Sequence, residues 1–265
     1  MQFFDTLWHK TLRRPYRLAC KDVGAGEQVV LIHGIAADGG KWSPLIKLLP
    51  KNKYRVVAPD LLGFGESPRP EWNTYTVNEH ARAVVATLKR RHVRGPVVLV
   101  GHSMGCLIAA HIAARDPKLV RRLVLYEPPL FADLPQDYPK HTKRRSKYFA
   151  FFSYLAQHPQ LAATQGYALW RLAKRLAGFA LSEERWIPFE RSLRNTIMEQ
   201  TAYHELHEIQ LPTAIVHGRL DFVVIRTELQ KMFVHNPNIS LHKVTDSHAL
   251  TPRSARYLAK LIAAD

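Results

Sequence analysis

Short apolar runs and amphipathic stretches alternate along most of this chain. Residues 16–23, 28–32, 54–58, 97–100, 122–126, 213–217 and 239–244 form brief runs rich in Val, Ile and Leu, bounded by Gly, Pro, Asp or Ser. Runs of this length and composition predict buried strands. Between them, residues 43–49, 77–91, 107–114, 228–233 and 252–264 predict helices; Ala81, Val84, Val85 and Leu88 recur at the spacing of one helical face. Strands that alternate with helices imply a mostly parallel α/β sheet covered on both faces. From residue 130 to 208 the alternation stops. That stretch is helical in pattern, basic and aromatic, with Tyr148, Phe149, Phe151, Phe152, Tyr154, Tyr167, Trp170, Phe179, Trp186 and Phe189. The chain therefore divides into a core, 1–129 and 209–265, and a helical insertion, 130–208.

One strand turns into its helix with no room for a loop. The run 97–100 is followed by Gly101-His102-Ser103-Met104-Gly105 and then by the apolar helix. A residue at so sharp a turn is held in a strained backbone, and glycines two before and two after it remove side chains that would collide. The Ser103 hydroxyl is then carried at the tip of the sheet, next to the positive end of a helix. The Met104 N–H points at whatever Ser103 attacks. His33, Asp60, Glu127, Asp221 and His248 also follow predicted strands. Ligands of parallel sheets bind at that edge.

Composition narrows the alternatives. At 265 residues, 46% apolar and 23% charged, the chain is long enough for one large core. Cys20 and Cys106 make no disulfide framework. No span nears the roughly 20 apolar residues of a membrane helix. The first residues lack the charge order of a secretory signal, because Asp5 and the basic residues sit on the wrong side of the apolar part. A cytoplasmic protein is the expectation. The residues behind the net charge of +16 are spread through the chain, with denser spots at 13–17, 89–94 and 140–147. Without a nucleic-acid-binding motif that charge implies no specific nucleic-acid partner, only a weak attraction to anionic surfaces. No metal-ligand spacing is present, and no cofactor is expected.

His33-Gly34, the loop Asp60-Leu61-Leu62-Gly63-Phe64-Gly65-Glu66-Ser67, the GHSMG elbow, Gly218-Arg219-Leu220-Asp221 and the late Ser247-His248 occur in an order that resembles the α/β-hydrolase superfamily, over nearly the whole chain. The resemblance implies an eight-stranded sheet with a helical cap inserted after its sixth strand. The first strand would lie within residues 3–12. It implies a triad of Ser103 as nucleophile, His248 as base and Asp221 as acid, the acid 27 residues before the base. Some members carry the acid after the sixth strand, where Glu127 stands, so Glu127 is the alternative acid. Asp246 reads as a solvated carboxylate. The oxyanion hole would use the N–H of Met104 and that of Ile35, or of Ala36. His33, Gly34 and Asp60 would brace loops near the site, Ser67 would be structural, and His102 is expected to contact substrate. One departure is Ser247, where the family usually has glycine.

The elbow residue sets the reaction class. Family members that make alkyl-ester intermediates use aspartate there. Serine makes an acyl-enzyme, so the electrophile is a carbonyl. The expected substrate is a small molecule, a carboxylic ester with small to medium apolar groups. A lactone or the C–C bond of a meta-cleavage product, with Arg219 or a cap arginine to hold its carboxylate, is the alternative within the fold. A non-catalytic ligand receptor is the alternative of another class.

Overall fold

In a computed structural model, residues 6–132, 158, 160–161, 183–221 and 223–264 are described. Seven strands, β1 (Cys20–Val23), β2 (Glu27–Ile32), β3 (Tyr54–Pro59), β4 (Val97–His102), β5 (Val120–Tyr126), β6 (Thr213–Gly218) and β7 (Ile239–Val244), form one sheet. Its order is β1-β3-β2-β4-β5-β6-β7. β1 runs antiparallel to β3, and every other neighbouring pair is parallel. Each parallel step needs a crossover, and the helices supply it: α1 (Ser43–Ile46), α2 (Val77–Arg90), α3 (Met104–Arg115), α4 (Trp186–Ser192), α5 (Ala202–Glu208), α6 (Arg226–His235) and α7 (Pro252–Ala263).

The strand alternation divides the core into two layers. Val30, Ile32, Val57, Leu99, Leu123 and Ile215 face α2, α3 and α5, while Val29, Leu31, Val56, Val98, Val100 and Val124 face α1 and α7. Helix α3 is buried on all sides from Met104 to Ala113. That explains its Ala-rich, almost uncharged sequence, since a wholly enclosed helix has no polar stripe.

Two expectations are corrected. The sheet has seven strands among the described residues, not eight. Where the first strand was expected, Thr6–Thr11 is a π-helical turn. There the Leu12 N–H bonds back to the Leu7 carbonyl at 3.0 Å and Arg14 N–H to the Trp8 carbonyl at 3.1 Å, so these groups are used locally rather than in a ladder. Residues 3–5 lie outside the described residues. In addition, β1 and β2, joined by a tight turn, do not pair: β3 lies between them.

Between β5 and β6 the described residues 183–208 are mostly helical, and they are fastened to the core. The Thr196 hydroxyl donates to the Tyr75 carbonyl at 2.7 Å, the Ser192 hydroxyl and His80 Nε2 share a hydrogen bond of 3.1 Å, and Glu205 meets His111 Nδ1 at 2.6 Å. Trp186 and Phe189 are buried with ring centroids 5.8 Å apart. The other eight expected cap aromatics lie outside the described residues.

Candidate active site

The loops at the C-terminal edge of the parallel strands converge on Ser103. The serine has φ 53° and ψ −125°, the strained turn that its sequence context predicts. The surrounding glycines are required by contact. A Cβ on Gly101 would lie 2.6 Å from the Cys106 Cα, and one on Gly105 would collide with the Ile32 carbonyl oxygen. Met104 opens α3, so its N–H has no intrahelical acceptor and stands at the positive end of the helix.

The loop after β2 packs directly on the elbow. A Cβ on Gly34 would be 2.9 Å from the Ser103 Cβ, so the chain leading into Ile35 passes against the elbow. The Ile35 N–H has no backbone partner among the described residues, and Ala36 adopts φ 56°. His33 ties this loop to the one after β3. Its Nδ1–H donates to the Gly34 carbonyl at 2.7 Å and its Nε2 accepts from the Leu61 N–H at 2.8 Å. Burial holds the imidazole neutral, with its pKa pushed down to about 4. Asp60 extends the same brace, accepting from the Gly39 N–H at 2.7 Å and the Glu66 N–H at 2.8 Å. The Ser67 hydroxyl donates to the Asp60 carbonyl at 2.6 Å and accepts from the Ala19 N–H at 3.0 Å. None of these groups bonds to the elbow hydroxyl among the described hydrogen bonds.

His248 does. The Ser103 hydroxyl donates to His248 Nε2 at 2.9 Å, and His248 Nδ1–H donates to Asp221 Oδ2 at 2.7 Å. The other Asp221 oxygen accepts from the Val223 and Val224 N–H groups at 2.5 and 3.1 Å. Burial alone would raise the pKa of Asp221. Its hydrogen bond and charge interaction with His248, with Glu127 and Val223 adding to them, outweigh burial and hold this carboxyl well below the usual carboxylate range. Serine, imidazole and an ionised carboxylate are thus in one hydrogen-bonded line, which can move a proton from Oγ to Nε2 while the carboxylate fixes the tautomer.

Glu127, the alternative acid, lies behind this line and makes no contact with the imidazole among the described hydrogen bonds. It is fully buried with φ 53°. Neither carboxyl oxygen receives a well-aligned N–H or O–H. Desolvation first, and then the neighbouring Asp221 carboxylate, push its pKa up to about 10. Like charges this close disfavour each other, so Glu127 is neutral where Asp221 is ionised.

Two further expectations change. His102 was expected at the substrate, but it is 2% exposed and lies beneath the His248 loop. Its Nε2–H donates to the His248 carbonyl at 2.8 Å, and its ring is stacked on Tyr126 and edge-on to Trp42. Burial, with Lys41 and His248 nearby, keeps it neutral. Asp246 is not solvated: it is 8% exposed and accepts from the Thr251 hydroxyl at 2.8 Å. Ser247 is absent from the residues with positive φ, so the position needs no glycine. Tyr126, read from sequence only as a strand residue, donates its hydroxyl to the Ala249 carbonyl at 3.0 Å and so anchors the same loop. Nothing in its local sequence signals that. Cys20 and Cys106 are free thiols, and the Cys106 thiol is buried and donates to the Tyr126 carbonyl at 3.2 Å.

Comparison with known proteins agrees with this architecture. A family model described as alpha/beta hydrolase fold matches residues 28–250. Among curated proteins, the probable lysophospholipase BODYGUARD 4 of Arabidopsis thaliana is 37% identical over 106 residues, 40% of this chain and 25% of that one. Lipase LipV of Mycobacterium tuberculosis is 40% identical over 107 residues, 40% of this chain and 39% of that one. The matched region thus spans about a quarter to two-fifths of these relatives. Among solved structures, the meta-cleavage product hydrolase of Pseudomonas fluorescens IP01 superposes with a TM-score of 0.66 at 22% identity, covering 92% of this chain and 91% of that one.

Proposed function

The chain belongs to the alpha/beta hydrolase fold family, and from that premise we propose that it hydrolyses carboxylic esters with apolar acyl groups through an acyl-enzyme on Ser103. The observation that carries this reading is the unbroken line from Ser103 Oγ through His248 to Asp221, with contacts of 2.9 and 2.7 Å, mounted on a strained strand–helix turn. Ser103 Oγ attacks the ester carbonyl as His248 Nε2 takes its proton. The tetrahedral oxyanion is received by the N–H groups of Met104 and Ile35. His248 then protonates the leaving alkoxide, which departs as the alcohol. It next draws a proton from water, whose oxygen attacks the acyl carbon and releases Ser103 and the carboxylic acid. Asp221 stays ionised throughout. Glu127 is assigned the role of its neutral partner, and the insertion at 130–208 that of a cap over the acyl group.

The curated relatives are named as a lysophospholipase and a lipase, which favours an ester of a lipid acyl chain over the C–C bond of a dienoate. The exposed Arg219 offers no enclosed site for a dienoate carboxylate.

The test is the intact mass after incubation with a small organophosphonate. One covalent adduct that is absent in Ser103→Ala is expected. No adduct in the folded wild-type protein would refute an activated serine and leave the receptor reading. Turnover of an acyl-ester series, against lactone and dienoate panels, then selects the bond that is cleaved.

A further inference from the structure

Three large apolar side chains stand together in solvent at the start of the described chain. Leu7, Trp8 and Leu12 are 42%, 50% and 52% exposed, on or next to the turn Thr6–Thr11. The bond from the Leu12 N–H to the Leu7 carbonyl sets these two residues one turn apart on the same side, with Trp8 beside Leu7. The turn is held to the body from another side: His9 stacks on Tyr16 with centroids 3.7 Å apart, and Tyr16 is buried in the core.

The surroundings of this trio are cationic. Lys10, Arg13, Arg14 and Arg17 are all exposed, and residues 7–17 contain no Asp or Glu. None of the four cations is paired with a described carboxylate. The Arg14 guanidinium lies 5.7 Å from the Trp8 ring centroid. Arg82 of α2 adds a further positive group, donating to the Arg13 carbonyl at 2.8 Å.

The path of the chain locates the patch. The Leu18 N–H bonds to Thr87 Oγ1 at 3.0 Å, and Arg13 sits against Arg82. Followed backwards, the segment therefore climbs α2 toward its N-terminus. That helix starts after the C-terminal end of β3, so its N-terminus lies at the sheet edge that carries Ser103.

We infer that Leu7, Trp8 and Leu12, ringed by Lys10, Arg13, Arg14 and Arg17, form a docking surface for an anionic phospholipid bilayer. A tryptophan settles at headgroup depth, leucines enter the upper acyl region, and unpaired cations are drawn to the negative surface potential. A soluble acidic partner would answer the charge but offers no acyl layer for the apolar trio. An apolar partner would leave the cations unpaired. Docking in this way turns the edge with Ser103 toward the bilayer. The inference does not need the esterase reading, and it is tested on protein that cannot turn over.

The experiment is co-sedimentation of the full chain carrying Ser103→Ala with phosphatidylcholine vesicles, and with vesicles containing about 30% phosphatidylglycerol, at about 0.05 and 0.5 M NaCl. At least about tenfold more bound protein is expected on anionic than on neutral vesicles at low salt, with a loss at high salt. Leu7→Ser, Trp8→Ser and Leu12→Ser combined, and separately Arg13→Glu with Arg14→Glu, should each lower binding about tenfold. In the Ser103 background, the same variants should leave hydrolysis of a water-soluble ester unchanged. Fluorescence quenching by brominated lipid that disappears in Trp8→Phe gives a readout that does not depend on how the multiple variants fold. Absent binding, equal binding to both vesicle types, or binding and quenching that survive loss of the apolar trio would each overturn the inference. So would a trio whose removal changes only the oligomeric mass.

Discussion

At the level of single residues, the unusual feature is a second carboxyl behind the hydrogen-bonded line of Ser103, His248 and Asp221. Glu127 and Asp221 are both buried, but only Asp221 has N–H donors and an imidazole to hold its charge. Glu127 has neither and keeps its proton. Between its unfolded pKa near 4.5 and its folded value of about 10, the native state binds one more proton at this group than the unfolded state. Its contribution to stability is therefore complete below about 4.5 and is lost as pH rises toward 10. Glu127→Gln keeps the shape of the side chain and cannot ionise. Between pH 5 and 9 its thermal midpoint should fall less than that of the wild type, and equal slopes would remove the neutral Glu127. Asp221→Asn, which presents the wrong hydrogen-bond partner to His248 Nδ1, should cut kcat by about 10³–10⁴-fold with little change in the folded circular dichroism signal. A loss of that size seen only in Glu127→Gln would move the acid to Glu127.

The site depends on elements in contact rather than on single side chains. The β2 loop reaches the elbow only because Gly34 has no side chain, and an added methyl would lie 2.9 Å from the Ser103 Cβ. Gly34→Ala should displace Ile35 and lower kcat by as much as about 10²-fold, more than it changes KM, in a protein that still melts cooperatively. The His248 loop is held at three points. His102 and Tyr126 bond to its carbonyls, and Asp246 is tied to the cap of α7. That cap is a Thr251–Ser254 box, with Thr251 Oγ1 accepting from the Arg253 and Ser254 N–H groups at 3.2 Å each. Thr251→Ala should cost about 1 kcal/mol of stability in denaturant melts, and part of its effect should appear in kcat because the base shares the loop.

For the whole molecule, charge is the dominant quantity. A net charge of +16 on 265 residues repels itself in the folded state. Raising NaCl from about 0.01 to 0.5 M should therefore raise the thermal midpoint, because screening shortens the reach of that repulsion. A midpoint independent of salt would mean that the described ion pairs, such as Arg55–Asp22 at 2.9 Å, offset the field locally. No helix among the described residues is long and apolar enough to cross a membrane. Contact with an anionic bilayer would then rest on the cationic surface around Trp8 and weaken as salt rises.

Periodicity along the chain was enough to determine the strands, the helices, the parallel sheet and the elbow at Ser103, because each depends on neighbours within a few residues. The end of every strand was legible for the same reason, and with it the set His33, Asp60, Ser103, Glu127, Asp221 and His248. Which members of that set touch was decided only by tertiary structure. Ser103 and His248 are 145 residues apart, and the choice between Asp221 and Glu127 turns on which carboxyl meets an imidazole and which meets only another carboxyl. His102 was misjudged because adjacency to a nucleophile in sequence says nothing about the face on which a strand-end side chain emerges. Asp246 was misjudged because its partner, Thr251, becomes a cap only once α7 docks. The strand that the resemblance placed within residues 3–12 is not formed over the described residues Thr6–Thr11, which close into a π-helical turn. Its backbone bonds were settled by local closure, and its side chains were left in solvent.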